Sequence, residues 1–243
     1  MMKKYFFIIF ITLAVIISGC LDDDGYSLDR MWVGFGMIEQ VKSDPPEYKI
    51  IMDNGKILIP VASNYNYPWY YSNENNNESR LKTGDRVLIN YTVIGDNASD
   101  SEEATKYYVK VNSTKKILLK GILDITAENQ DSIGNDPIIV RDCWQTDSLL
   151  NFELKYWGRY KIHYINLVKE PGELTESDQP VELELRHNKN DDIDDYLYSA
   201  FVSFSLNELK IAGLDSLRFK VTSIGYDGDL YKYEGVFHYD KNN

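Results

Sequence analysis

The sequence predicts an all-β protein, an N-terminal OB-like five-stranded barrel followed by a C-terminal immunoglobulin-like β-sandwich. Strand signals recur along nearly the whole chain, which carries 19 tyrosines in 243 residues. Aromatic and β-branched residues favour a pleated, half-buried surface. Turn formers punctuate these runs at short intervals. The charge character also changes near residue 122. Residues 29–122 hold twelve basic and twelve acidic side chains, whereas residues 123–243 hold twelve and twenty-three. A chain of this length exceeds the common domain size of about 100–150 residues, so the switch is taken as the boundary between domains 29–122 and 123–243.

The first nineteen residues read as a secretory signal. Lys3 and Lys4 precede an apolar run from Tyr5 to Ile17, broken only by Thr12. That run is shorter than the roughly 20 apolar residues of a permanent membrane span, and small residues close it. The closing stretch Ile17-Ser18-Gly19-Cys20 resembles the bacterial lipobox. The resemblance implies cleavage before Cys20 and lipidation of that residue, with several acyl chains needed for stable anchoring. Residues 20–28 form an acidic tether whose Asp22-Asp23-Asp24 resembles the surface-export signal of outer-membrane lipoproteins in some Gram-negative gut anaerobes. The expected address is the outer membrane, anchored by lipid and exposed at the cell surface. With Cys20 lipidated, Cys143 is the remaining cysteine. Beside Trp144 it reads as a small buried apolar residue.

The barrel strands are expected at 31–41, 48–52, 56–59, 86–94 and 106–111. Gly34 and Gly36 mark a sharp bend in the first. Asp53-Asn54-Gly55 marks a tight hairpin with positive φ at both central residues. Five short strands with irregular insertions fit a small OB-type barrel. Sandwich strands follow at 138–140, 149–156, 161–167, 181–186, 199–204, 216–223 and 231–239. Strict alternation in Val181-Glu182-Leu183-Glu184-Leu185-Arg186 places apolar and charged side chains on opposite faces. A brief helical turn is expected over 206–209.

Charge excludes one class of function. A formal net charge of -12 opposes binding to a phosphate backbone, which depends on cationic contacts. Lys106, Lys110, Lys115, Lys116 and Lys120 read as the solvated face or edge of a strand. Enzyme signatures are missing from the sequence: no Gly-x-Ser-x-Gly elbow, no His-Glu-x-x-His and no phosphate-binding glycine loop. No catalytic residue, metal ligand or cofactor is assigned.

Three segments are candidate sites. Tyr65, Tyr67, Trp69, Tyr70 and Tyr71 lie in one loop, where exposed rings could stack on sugar faces or fold back over the barrel mouth. The tract that follows, Asn73 to Asn77, reads as mobile and solvated. Asp191, Asp192, Asp194 and Asp195 could gather a calcium ion, although their spacing is not that of an EF-hand; a solvated charge run is the simpler reading. The segment from Asp131 to Pro137 is dense in turn formers and is expected to fix the two domains against each other.

The order of motifs resembles the NigD-like lipoproteins. The resemblance rests on Trp32-Val33-Gly34-Phe35-Gly36, Asp53-Asn54-Gly55 and Gly84-Asp85-Arg86-Val87-Leu88-Ile89-Asn90-Tyr91. It extends through Thr126-Ala127-Glu128-Asn129, the run from Asp131 to Ile138, the run from His163 to Val168, and Leu185-Arg186-His187-Asn188. The insertion from Asn64 to Ser79 is longer than the family pattern. The resemblance implies a lipobox signal, an OB-like domain and a β-sandwich, with no assigned activity. The expected function is that of a non-enzymatic binding or accessory lipoprotein. Its partners would be the membrane, through the lipid, and an envelope protein or a glycan. The alternative, drawn from the family name, is a bacteriocin-associated immunity or protective lipoprotein.

Overall fold

The computed structural model describes residues 27–63, 70–74, 77–97 and 105–239, with the backbone alone for 71–74 and 77–79. The chain is all-β, with a closed five-stranded barrel followed by a β-sandwich. The barrel uses β1 (Trp32–Ser43), β2 (Pro46–Met52) and β3 (Ile57–Ser63). A side hairpin, β4 (Tyr71–Glu74) and β5 (Asn77–Arg80), precedes β6 (Arg86–Asp96) and β7 (Lys106–Lys120). Strand order β3-β2-β1-β6-β7 closes through parallel pairing of β3 with β7.

β1 has two partners, β2 through residues 36–43 and β6 through residues 32–37. To reach both it must pass very close to β2. A Cβ at Gly36 would lie 2.7 Å from Ile50 Cγ2 and 2.9 Å from the Ile51 carbonyl oxygen, so only glycine fits there. The β2–β3 hairpin falls where Asn-Gly placed it, but Gly55 alone takes a positive φ, 79°. The Lys56 amide donates to Asn54 Oδ1 at 3.1 Å; this side-chain closure makes a second left-handed residue unnecessary. Ile50, Leu58, Val87, Ile89, Val109 and Val111 fill the barrel interior.

Two expectations change in this half. The Asn-rich tract, expected to be mobile, contributes backbone to the β4–β5 hairpin. β7 does not stop at residue 111 but continues to Lys120, and it is a central strand rather than an edge. The polar run Asn112-Ser113-Thr114 conceals the continuation, because Asn is depleted in strands and the run lacks apolar alternation.

Beyond β7 come β8 (Leu123–Asp124), the one-turn helix α1 (Gln130–Ile133), β9 (Ile139–Thr146), β10 (Leu149–Gly158) and β11 (Tyr164–Lys169). Then follow β12 (Val181–Asn188), β13 (Tyr196–Ser205), β14 (Ser216–Ile224) and β15 (Leu230–His238). One sheet holds β13-β10-β9, and the other runs β15-β14-β12-β11-β8. β12 alternates as its sequence requires, with Val181, Leu183 and Leu185 buried and Glu182 and Glu184 exposed. It pairs with β14 in parallel, where an immunoglobulin sheet is antiparallel. Phe152, Phe204, Leu183, Leu185, Leu217 and Phe219 form the core between the sheets.

The two domains share a sheet. Leu118–Lys120, the last residues of β7, pair in parallel with Val202–Phe204 of β13. Lys120 Nζ donates to the Ile165 carbonyl at 2.9 Å and also to Asn166 Oδ1, so burial, which lowers its pKa, is offset by two acceptors.

Beside this seam lies Arg86, whose side chain is 0% exposed. It forms a bidentate pair with Asp53 from the β2–β3 hairpin. Nη2 also donates to Asn151 Oδ1 at 3.1 Å, and the Ser203 hydroxyl donates to the same oxygen at 2.6 Å. The Thr146 hydroxyl donates to Asp53 Oδ2 at 3.3 Å. Phe35 covers this network. Its ring centroid lies 5.5 Å from the guanidinium carbon, 5.4 Å from the Trp144 ring and 5.2 Å from the Phe201 ring.

Removing one member of a buried ion pair costs about 3–5 kcal/mol, because the partner charge is left uncompensated. Asp53→Asn should therefore lower the midpoint of thermal unfolding by roughly 10 °C, at about 2–4 °C per kcal/mol for a chain of this size. The double variant Asp53→Leu with Arg86→Met removes both charges and should recover most of the loss, as read by calorimetry.

Candidate functional site

Of the aromatic loop residues singled out from the sequence, Tyr65, Tyr67 and Trp69 lie outside the described residues, as does Cys20. Tyr71 is described by its backbone in β4. Tyr70 is half-buried, its ring 4.9 Å from that of Tyr48. The Arg80 guanidinium sits 5.7 Å from both rings, and Arg80 Nε donates to the Tyr48 hydroxyl at 2.5 Å. The Tyr70 carbonyl accepts the Leu81 amide at 2.7 Å. Tyr70 thus packs on the barrel core.

Tyr70 also borders an open cleft of about 560 Å³ on the outside of β2 and β3. Leu58 points into the barrel, while Ile57, Ile59 and Val61 face the cleft with Val41 and Lys106. The outer face of a small barrel is ordinarily polar; here it is aliphatic. The same face, strands two and three, is where OB-folds take oligonucleotides and oligosaccharides. Sequence reading missed this site because Ile57-Leu58-Ile59 looks like any fully buried strand.

The acidic loop after β12 has a different role from the calcium site weighed for it. Asp192 is buried, and its carboxylate accepts the backbone N–H of Arg159 at 2.5 Å and of Tyr160 at 3.1 Å. Burial pushes its pKa up, but the N–H groups of Arg159, Tyr160, Ile193 and Lys161 outweigh that and hold it well below the usual carboxylate range. Asp194 pairs with Lys189 at 3.3 Å and Asp195 with Arg159 at 2.8 Å. Among the described residues, no three His, Cys, Asp or Glu side chains are grouped to hold a metal ion.

Behind Asp192 stand two histidines. His163 Nε2 lies 3.3 Å from Asp192 Oδ2, and His163 Nδ1 lies 2.8 Å from His187 Nε2. His187 Nδ1 lies 2.9 Å from the Pro137 carbonyl. A carbonyl can only accept, so His187 donates from Nδ1 and accepts at Nε2 from His163. The Tyr156 ring covers both imidazoles, at 4.6 and 5.5 Å. Gly158 is obligatory beside them, since a Cβ there would come within 2.7 Å of His163 Nε2. This chain is closed to solvent and its members are committed to one another, so it can order loops but not attack a substrate. Cys143 is equally inert, its thiol pushed up by burial to about 12.

The turn-rich segment also lies elsewhere than expected. Asp136 Oδ2 accepts the Lys189 amide at 2.8 Å, and the Asp136 amide donates to the His187 carbonyl at 2.7 Å. Asn188 Nδ2 donates to the Ser132 carbonyl at 2.8 Å. The segment therefore clasps the end of β12 within the sandwich. The domains are fixed by Arg86 and β7 instead.

With the geometry established, the relatives can be placed. Residues 121–234 match the NigD-like C-terminal β-sandwich domain. In its sandwich, the chain is similar to the NigD-like family. A candidate toxin-related protein of Parabacteroides distasonis is similar in structure, with TM-score 0.66 and 27% identity over 87% of this chain and 96% of that one. A NigD-like immunity protein of Bacteroides caccae superposes with TM-score 0.61 at 19% identity, covering 87% and 99%. A candidate lipoprotein of Bacteroides fragilis does so with TM-score 0.61 at 11% identity, covering 88% and 100%. These last two likenesses speak for the fold of both domains together. No curated protein matches the chain. No enzymatic family is indicated among these relatives.

The His187 pKa is lowered from 6.5, chiefly by burial. The unfolded chain therefore binds the proton first, and the neutral ring stabilises the fold above pH 6.5, an advantage lost as pH falls below that value. His187→Gln, which can still donate to Pro137 and accept from His163, should flatten the decline of the thermal midpoint between pH 6.5 and 5.

Proposed function

We propose that the protein is a lipoprotein anchored through Cys20 at the outer membrane and exposed at the cell surface. There it acts as a non-enzymatic binding or accessory module. The observation that carries this reading is the aliphatic cleft on the outside of β2 and β3, with Tyr70 at its border. A preformed concave site lined by apolar groups with a few polar ones is the usual form of a ligand seat. Lys49, Lys106 and Glu47 supply such polar groups at this rim. A glycan fits these surroundings, with the Tyr70 ring as a flat apolar wall and the charged groups as hydroxyl partners. The buried imidazoles and the unreactive thiol support a role without covalent chemistry.

The similarity to a NigD-like immunity protein favours one further reading, that of a protective protein in a bacteriocin system. Deleting the gene separates the two: immunity requires greater sensitivity to the cognate toxin, whereas a glycan-binding module leaves sensitivity unchanged.

Val61 is 56% exposed, so Val61→Asp should leave the thermal midpoint within about 1–2 °C, as surface changes do. On an array of extracellular glycans it should abolish whatever binding the unaltered protein shows. Cys20→Ser should release the protein from the membrane fraction and remove incorporation of labelled palmitate. Retention of the label would refute the anchoring site.

A further inference from the structure

The end of the sandwich formed by the β10–β11 and β12–β13 loops carries an unusual surface. The β10–β11 loop, residues 159–163, exposes Tyr160 at 72% and Ile162 at 71%, and the β12–β13 connection exposes Ile193 and Tyr196 at 57% each. These four side chains are held together by the loops that bear them. Arg159 lies 4.6 Å from the Tyr160 ring and 5.9 Å from that of Tyr196, and pairs with Asp195. Asn190 Nδ2 donates to the Ile162 carbonyl at 3.4 Å.

The display is costly to hold, yet it is held rigidly. Asp192, buried beneath both loops, accepts backbone N–H groups from one while belonging to the other. His163 and His187 buttress it from below. Asn190 and Asp191 adopt positive φ values of 57° and 52° to make the turn, a conformation that few residues tolerate. A contiguous exposed apolar patch on a monomer marks an interaction site. Tyrosine on preformed loops gives contact area at low entropic cost.

The composition selects the partner. Isoleucines offer nothing to a sugar ring, whereas a mixture of Tyr, Ile and Arg is that of a protein interface. The surrounding charge is negative. With Asp195 and Asp194 neutralised by Arg159 and Lys189, the loops and the adjoining β14–β15 turn keep Asp191, Asp227 and Asp229 against Lys161, none of them ion-paired among the described residues. A second copy of this chain would bring two acidic rims together, and an anionic membrane would be repelled. We propose that this tip is a docking surface for another protein, one that presents an apolar patch ringed by basic residues. This surface shares no residue with the barrel cleft, whose lining comes from β1, β2, β3, Tyr70 and Lys106.

The test uses the full lipid-anchored protein in its own cells, with a photo-crosslinking amino acid at position 160 and, as control, at exposed position 232. We expect one discrete protein adduct from position 160 and none from 232. The adduct partner, identified by mass spectrometry and purified, is then titrated with unaltered and variant protein. Tyr160→Ala and Ile193→Asp should each weaken binding at least tenfold, Asp191→Lys should weaken it and reduce its salt dependence, and Val61→Asp should change neither adduct nor affinity. Circular dichroism melts of the variants accompany the titration; should Tyr160→Ala unfold, Ile162→Asp replaces it. The proposal is overturned by an adduct whose partner is this chain, by adducts of lipid or glycan alone, by no adduct, or by affinity indifferent to the tip variants. Loss of glycan binding in Val61→Asp with an intact adduct, or the reverse, tells failure of one site from failure of the other.

Discussion

A guanidinium cannot be taken from water unless its charge and its donors are met by the protein, and Arg86 lies fully buried between two domains. No single element could satisfy it. The β2–β3 hairpin supplies Asp53, β10 supplies Asn151, and β13 and β9 supply Ser203 and Thr146. Asp53 and Asn151 accept from the guanidinium, and the Ser203 and Thr146 hydroxyls donate to those two acceptors; because the set spans both domains, a displacement of one domain by a few ångströms would strand a charge. A hydrophobic seam would tolerate sliding; this one admits a single arrangement. The shared strand β7 fixes the same geometry from the other side through its pairing with β13. Such networks add little net stability over apolar packing, so their physical effect here is on register rather than on adhesion.

Fixed register has a bearing on recognition. The barrel cleft and the sandwich loops belong to different domains, and neither draws on the seam for its own side chains. Each is organised locally. In the cleft, aliphatic residues occupy the outward positions of β3. At the tip, Asp192 and two imidazoles hold loops that would otherwise have no reason to keep isoleucine and tyrosine in water. Both surfaces place apolar groups outside while every nearby buried polar group has a partner.

Much of the fold was legible in the sequence because its signals are local. The alternation of Val181 to Arg186 survives intact in β12, whereas Gly36, read as the site of a bend, is required by the close approach of β2. Signals that depend on distant partners were not legible. Arg86 stands at the head of an ordinary strand, and nothing near it in sequence announces Asn151 or Ser203. His163 and His187 look like three-dimensional strangers until the clasp from Asp136 and Pro137 brings them together. Asp192 looked like one of several solvated acids; four backbone N–H groups make it the anchor of the tip. Ile57 and Ile59 read as core because hydrophobicity alone does not tell which face of a barrel wall a side chain occupies. The aromatic loop, the most conspicuous feature of the sequence, is represented in the described residues by the ring of Tyr70, which packs and borders the cleft at once.

The shared strand also dictates an order of assembly. β7 pairs with β6 as far as Ile117, but its last residues, Leu118–Lys120, must wait for β13, which is separated from them by most of the sandwich. Pairing across such separation is slow to form. Until then the half-finished protein shows a bare strand edge, the kind of surface through which chains stick to one another. Lys120 borders that edge, and its acceptors, the Ile165 carbonyl and Asn166 Oδ1, belong to the later sandwich. A charged side chain at an open strand edge disfavours pairing with another chain. The residue that the mature seam buries thus also marks its unfinished edge.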